Sequence, residues 1–287
     1  MEFQPLTIKH LTSRLKKDNE IDPFWFVPHM QDYIKYNPKG CFALVNRDKT
    51  LGMVTTTLYD NIGWIGWLYV DDSFRRQGLG ERLMRKAIEY INENKIYSIV
   101  IEAVREAVTL YKRIGFETQF ETHHFKLYPD KIKPNQNNNF QTLPISNIPL
   151  EKLVDFDLKY FHQNRFELFK IITSNPKFSG YVALENEKII GYIFVTEDSK
   201  SLQTSPLIID LNHPEKNKII SSLLNKTLNG QNKPLYFRCP SLRKQYFDFL
   251  VSIGAEPTGY FTYRMLLGKQ YEIESEGILS LGCPGKG

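Results

Sequence analysis

A buried strand that runs into a glycine-punctuated turn and then a helix constrains this chain more than any other feature. Ile65-Gly66-Trp67-Leu68-Tyr69-Val70 reads as the strand, and Leu79, Leu83, Met84, Ala87, Ile88 and Ile91 recur at helical spacing. Between them lies Arg75-Arg76-Gln77-Gly78-Leu79-Gly80. Glycines remove the Cβ atoms that would keep a ligand from the backbone, and the first helical turn offers unpaired N–H groups and a positive dipole end. Such a turn is suited to an anion. A P-loop would need Lys-Ser/Thr after its last glycine, where this chain has Glu81-Arg82, and a dinucleotide fingerprint would need a third glycine.

The pattern Arg/Gln-x-x-Gly-x-Gly after a strand ending in Val-Asp is followed downstream by Leu110-Tyr111-Lys112-Arg113-Ile114-Gly115-Phe116. Together they resemble the two signatures of the GNAT superfamily of N-acetyltransferases; taken alone, the hexapeptide could be a plain surface turn. The resemblance implies acetyl-CoA as acyl donor. Its pyrophosphate would lie on Arg75, Arg76, Gln77, Gly78, Leu79, Gly80 and Glu81, and its pantetheine arm along the backbone of Leu68, Tyr69 and Val70, where the strand splays from its neighbour. A backbone N–H at or near Leu68 would face the acetyl oxygen, a contact whose loss costs about 3 kcal/mol in acyl transfer generally. By the same resemblance Tyr111 would protonate the departing thiolate and Glu102 would deprotonate the amine. Tyr111 also reads as a ring packed on its helix, and Glu102 as a carboxylate in a surface salt bridge. Val104 stands seven positions before the tyrosine, where the family often has an asparagine that binds the cofactor amide. Of Arg75 and Arg76, at least one is expected to be merely solvated.

With 287 residues, 41% apolar and 24% charged, the chain has room for two globular cores. No basic-then-apolar leader and no apolar run of about 20 residues is present, so a soluble, cytoplasmic protein is expected. Cys41, Cys239 and Cys283 are widely separated, which supports neither a disulfide framework nor a zinc site, and no metal is expected. A net charge of +5 spread along the chain calls for no nucleic-acid partner.

Residues 1 to about 36 read as helical with a break at Asp22-Pro23. A hairpin follows over Cys41 to Tyr59, then the strand Gly63 to Val70, the turn and its helix. After these come a strand over Ser98 to Ala103, a short helix over Ala107 to Arg113 ended by Gly115, and a last strand over Phe120 to Leu127. Pro129 to Asn139 has the composition of a linker. A repeat then emerges at a shift of 139 residues: Gly52-Met53-Val54 recurs as Gly191-Tyr192-Ile193, Val70-Asp71 as Ile209-Asp210, and Ile114-Gly115 as Ile253-Gly254. At that shift Arg75, Gly78 and Gly80 become Pro214, Asn217 and Ile219, and Tyr111 becomes Leu250, so the second copy has lost the anion-binding turn.

The expected fold is mixed α/β (α+β) with two tandem GNAT-like domains, each a mixed, largely antiparallel sheet flanked by helices. Residues 1–130 form the catalytic domain, 131–139 the linker, and 140–287 a degenerate second domain with a tail, which resembles bacterial two-domain GNAT proteins. The expected activity is transfer of acetyl to a primary amine by direct attack in a ternary complex; a non-catalytic acyl-CoA sensor or protein-interaction module is the alternative. The acceptor would be a small-molecule amine or a protein lysine or N-terminus. Trp25 and Trp67 are candidates to line its pocket, beside Phe24, Phe26 and Trp64, although aromatics at such positions also build cores. His123 and His124 lack spaced acidic or cysteine partners and read as packed or edge residues.

Overall fold

The computed structural model describes residues 1–15, 22–132, 139–269, 276–283, 285 and 286, and of residues 13, 14, 24 and 25 the backbone only. The chain divides into two compact units, Met1–Gln119 with Tyr263–Tyr271 and Pro284–Gly287, and Phe120–Thr262 with Glu272–Cys283.

The first unit begins with a strand, β1 (Glu2–Pro5), where the sequence reads as helical. It pairs antiparallel with β2 (Phe42–Asn46), with Glu2 opposite Val45 and Pro5 opposite Phe42. Four residues are too few to display a period of two, and a proline at the end of an edge strand loses no ladder bond. Helices α1 (Ile8–Leu15) and α2 (Pro23–Tyr36) follow, and Pro23 opens α2, where its missing N–H costs nothing. Next come β3 (Lys49–Leu58) and β4 (Gly63–Val70), antiparallel neighbours whose register slips: Met53 faces Tyr69 but Thr55 faces Gly66. The slip is a bulge centred on Trp67, which adopts a left-handed φ of 50°.

Helix α3 (Leu79–Glu93) buries Leu79, Leu83, Met84, Ala87 and Ile91, the stripe expected from their spacing, and packs on β3 and β4. Strand β5 (Ser98–Ala103) pairs in parallel with β4 at Gly63↔Ile99 and Trp64↔Val100, and beyond these no β4–β5 pairing is found among the described residues. Helix α4 (Val108–Ile114) ends at Gly115, whose φ of 114° provides the left-handed C-cap. The other edge of β5 receives residues far along the chain: in β12 (Glu256–Gly268), Tyr263 to Gly268 run antiparallel to Ala103 to Ser98. Met265 thereby joins Ile99, Ile101, Phe116 and the α3 stripe in one core.

The second unit repeats this plan. The 139-residue shift carries β1 onto β7 (Gln141–Pro144), β3 onto β9 (Lys188–Glu197) and β4 onto β10 (Leu202–Ile209), element for element. Helices α5 (Leu150–Phe161) and α6 (Phe166–Thr173) precede β8 (Phe178–Glu185), and α7 (Lys216–Leu228) precedes β11 (Leu235–Pro240) and α8 (Phe247–Ser252). A buried bidentate pair ties α5 to α6: Arg165 donates to both Asp157 oxygens at 2.8 and 2.5 Å, and the Tyr192 hydroxyl donates to Asp157 Oδ1 at 2.5 Å. The outer partner of β11 is β6 (Glu117–Leu127), with Thr122 opposite Pro240 and Leu127 opposite Leu235. Each copy thus contributes its last strand to the other unit, since the shift carries Glu117 of β6 onto Glu256 of β12. A short strand, β13 (Ile278–Ser280), lies on β10. No described helix is long and apolar enough to cross a membrane.

Candidate active site

Where β4 and β5 part, the first unit holds a cleft of about 630 Å³. One wall is the edge of β4 at Leu68, Tyr69 and Val70, past its pairs with β5 at Gly63 and Trp64; the other is Val104, Glu106, Ala107 and Leu110; the floor is the turn entering α3. Of the residues expected to hold the donor, all but Gln77 line it: Leu68, Tyr69, Val70, Arg75, Arg76, Gly78, Leu79, Gly80 and Glu81.

The turn is built from its own sequence. Asp71 caps the first bend, its carboxylate accepting from Ser73 N–H at 3.1 Å. Gly78 is the N-cap of α3 with φ 76° and ψ 2°, and makes no side-chain cap hydrogen bond. The first helical bond runs from Arg82 N–H to Gly78 O at 3.1 Å, so the N–H groups of Leu79, Gly80 and Glu81 lack intrahelical partners. Nothing lies within 4 Å of where a Cβ at Gly78 would stand, and a Cβ at Gly80 would make only ordinary contacts, 3.5 Å to Leu110 and 3.8 Å to Val70. Packing therefore does not demand glycine at 80, and its absence of a Cβ leaves the backbone open to close approach.

Cations frame the turn. Arg75 pairs with Asp72 at 2.6 Å and donates to Val70 O at 3.2 Å. Glu81 would oppose an anion at this helix end, but Arg85 at 2.7 Å and Arg113 at 3.3 Å hold its carboxylate. The Arg85 hydrogen bond, with the charges of Arg85 and Arg113 adding to it, draws the Glu81 carboxyl below its usual range. Arg113, Phe74 and the wall at Val104, Ala107 and Leu110 are additions to the expected set. The one signal for them was the position of Val104 before the tyrosine.

The two residues expected to do acid–base work stand back from this cleft. Tyr111 is 7% exposed, with its ring 6.0 Å from that of Phe116, and burial pushes its phenol up to about 12. Glu102 alternates with Ile101 and Ala103, whose side chains join the α3-side core, so it points to the opposite face of the sheet. There Arg264 Nε donates to Glu102 Oε1 at 2.5 Å, with the two side chains 1% and 4% exposed, and the guanidinium lies 4.5 Å above the Trp64 ring. This is a buried pair rather than the surface one that sequence suggested as the alternative to a base.

Trp67 packs edge-on to Phe26 at 5.3 Å and His29 at 5.5 Å, which sets the bulge beside α2. Trp25 and Phe24 lie on α2, and their side chains are outside the described residues. In the second unit His123 stacks on Phe261 at 5.6 Å, and His124 lies edge-on to Tyr260 at 4.8 Å. Burial drives the His124 ring down to about 4, whereas His123, against expectation, has an acidic partner, its Nε2 lying 3.1 Å from Glu121 Oε2. Among the described residues no three His, Cys, Asp or Glu side chains cluster as a metal site would require.

Residues 8–116 match the acetyltransferase (GNAT) family. The uncharacterized N-acetyltransferase YitH of Bacillus subtilis (strain 168) is 22% identical over 202 residues, 69% of this chain and 67% of that protein. Among solved structures, a candidate acetyltransferase from Pyrococcus horikoshii superposes with a TM-score of 0.82 at 18% identity, covering 100% of this chain and 95% of that one. A tandem GNAT protein from the clavulanic acid biosynthesis pathway superposes with a TM-score of 0.69 at 13% identity, covering 94% and 99%. The likeness to the solved structures is one of fold.

Proposed function

We propose that the protein is an acetyl-CoA-dependent N-acetyltransferase with its working cleft in the first unit, a reading supported by the match of residues 8–116 to the acetyltransferase (GNAT) family and by the likeness of the fold to a tandem GNAT protein. The cleft itself carries the proposal: the β4 edge at Leu68–Val70, past its pairs with β5, and the N-terminus of α3, which has no side-chain cap, line one cavity. An elongated donor with an amide-rich arm and a pyrophosphate fits both. The arm pairs with the β4 edge, and the phosphates take the N–H groups of Leu79, Gly80 and Glu81 with Arg75, Arg76 and Arg113 around them.

Transfer then proceeds by direct attack. The neutral amine bonds to the acetyl carbon, the C–S bond breaks, the amine gives up a proton and the thiolate takes one. Backbone N–H groups at the bulge after Trp67 are suited to the oxygen that becomes negative. Tyr111 is assigned to the thiolate as a weak helper, because a phenol near 12 yields its proton only as the C–S bond breaks. Glu102 suits an anchor for Arg264 more than a base, which leaves the amine proton to a water or to the acceptor itself. The acceptor is a primary amine, on a small molecule or a protein, approaching from the α2 side near Trp67.

The test is release of coenzyme A thiol from acetyl-CoA in the presence of a panel of primary amines and lysine peptides. Release that depends on one class of amine, with the acetyl recovered on it, is expected. Coenzyme A bound but no amine acetylated by any member of the panel would favour the rival, an acyl-CoA-binding module, to which the engagement of Glu102 already lends some weight.

A further inference from the structure

The second unit contains the counterpart of this cleft, and a strand of the chain lies in it. β10 and β11 pair in parallel at Leu202↔Leu235 and Gln203↔Tyr236, and the 139-residue shift carries Gly63 and Trp64, the last β4 residues paired with β5, onto Leu202 and Gln203. The β9–β10 register slips between Thr204 and Leu207, as the β3–β4 register slips between Gly66 and Tyr69. Past the slip, Leu68, Tyr69 and Val70 correspond to Leu207, Ile208 and Ile209.

Those three residues are paired. Leu207 faces Ser280 and Ile208 faces Ile278 in an antiparallel ladder, and Ile209 N–H donates to Gly277 O at 3.0 Å. On the far side the same segment reaches β11: Leu281 N–H donates to Arg238 O at 2.8 Å, and Arg238 N–H donates to Ser280 Oγ at 3.0 Å. Ile278, Leu279, Ser280 and Leu281 are all buried. The fit is close: a Cβ at Gly277 would stand 2.6 Å from Ile209 O and 2.3 Å from the Tyr160 ring. At the counterpart of the phosphate turn the N-cap of α7 is Glu215, which makes no side-chain cap hydrogen bond and pairs with Lys218.

We infer that β13 is a built-in ligand of the second unit, standing along Leu207–Ile209 where the donor's arm stands along Leu68–Val70, so that this unit keeps its cleft filled with its own backbone and takes no acyl-CoA. The inference rests on the reading that the donor's arm runs along Leu68–Val70. It also gives the glycine-free second turn a physical complement, since a site filled from within has no use for a phosphate cradle.

Amide hydrogen exchange on the full chain, with and without saturating coenzyme A, tests this. Ile209 and Leu281 are expected to exchange at least about a hundredfold more slowly than unprotected amides, equally with and without coenzyme A, while residues 68–81 slow only when it is added. Loop-like exchange at Ile209 and Leu281, or protection there that appears only with coenzyme A, would overturn the inference. A protected β13 together with no response at residues 68–81 would uphold it and instead count against the donor site in the first unit.

Discussion

Gly80→Ala separates what the protein needs at this position from what a ligand needs. The residue is the second of α3, and a methyl there would meet Leu110 Cδ2 at 3.5 Å and Val70 Cγ2 at 3.8 Å, which are ordinary contacts. No clash is created, alanine is up to about 1 kcal/mol better than glycine within a helix, and a less flexible unfolded chain adds to the gain. Taking about 0.4–1 kcal/mol, the melting temperature without ligand should hold or rise by about 1–3 °C. Binding should move the other way. Leu110 and Val70 are cleft walls, so the methyl stands in the space where a pyrophosphate would meet the backbone. A tenfold or larger rise in Kd is expected, about 1.4 kcal/mol or more. Differential scanning calorimetry of the free protein and isothermal titration with coenzyme A read the two effects separately. A Kd within about twofold of wild type would remove Gly80 from the phosphate contact, and a lower melting temperature would show that the α3 entry packs differently from this account.

Gly78→Asp should abolish coenzyme A binding by placing a like charge against the pyrophosphate at the entry to α3; wild-type affinity in titration would sink the turn assignment. Tyr111→Phe should lower turnover by about tenfold, below the range of a well-matched acid, and leave Kd unchanged. In the folded protein Tyr111 ionises near 12 rather than 10, so it stabilises fully below pH 10 and that contribution is lost as the pH rises from about 10 to about 12. Urea unfolding across that window should show the loss in wild type and a shallower one in Tyr111→Phe. Glu102→Ala removes the carboxylate paired with the buried Arg264 and should destabilise by about 3–5 kcal/mol, with Glu102→Met/Arg264→Met recovering much of it. A stable double variant that turns over normally would confirm an anchor, and one that is stable but inactive would restore Glu102 as a base.

How much could be read in advance follows from where the signal resides. The α3 stripe and the turn before it were legible because helical spacing and paired glycines encode local structure directly. The 139-residue repeat was legible for the same reason, and it carries the expected strand Gly63 to Val70 onto β10; β7 was not foretold, because its counterpart β1 reads as helical. The strand exchange was not. Alternation in β6 and β12 fixes which face is buried, but it names no partner, and the repeat makes both β5 and β11 acceptable ones. The bulge was hidden because its left-handed residue is Trp67, a type that seldom adopts that conformation. At the site, Val104, Ala107 and Leu110 are apolar and carry no ligand signature of their own, and only the parting of β4 and β5 makes them a wall. Glu102 read as a base, or else as a surface carboxylate, because its partner, Arg264, lies 162 positions away.

The central claim, one working cleft per chain, is tested most directly by isothermal titration of the full chain with acetyl-CoA, read for stoichiometry. One equivalent, lost in Gly78→Asp, is the predicted result. Two equivalents would show that the second unit also takes the donor, and no binding would contradict the assignment of the cleft.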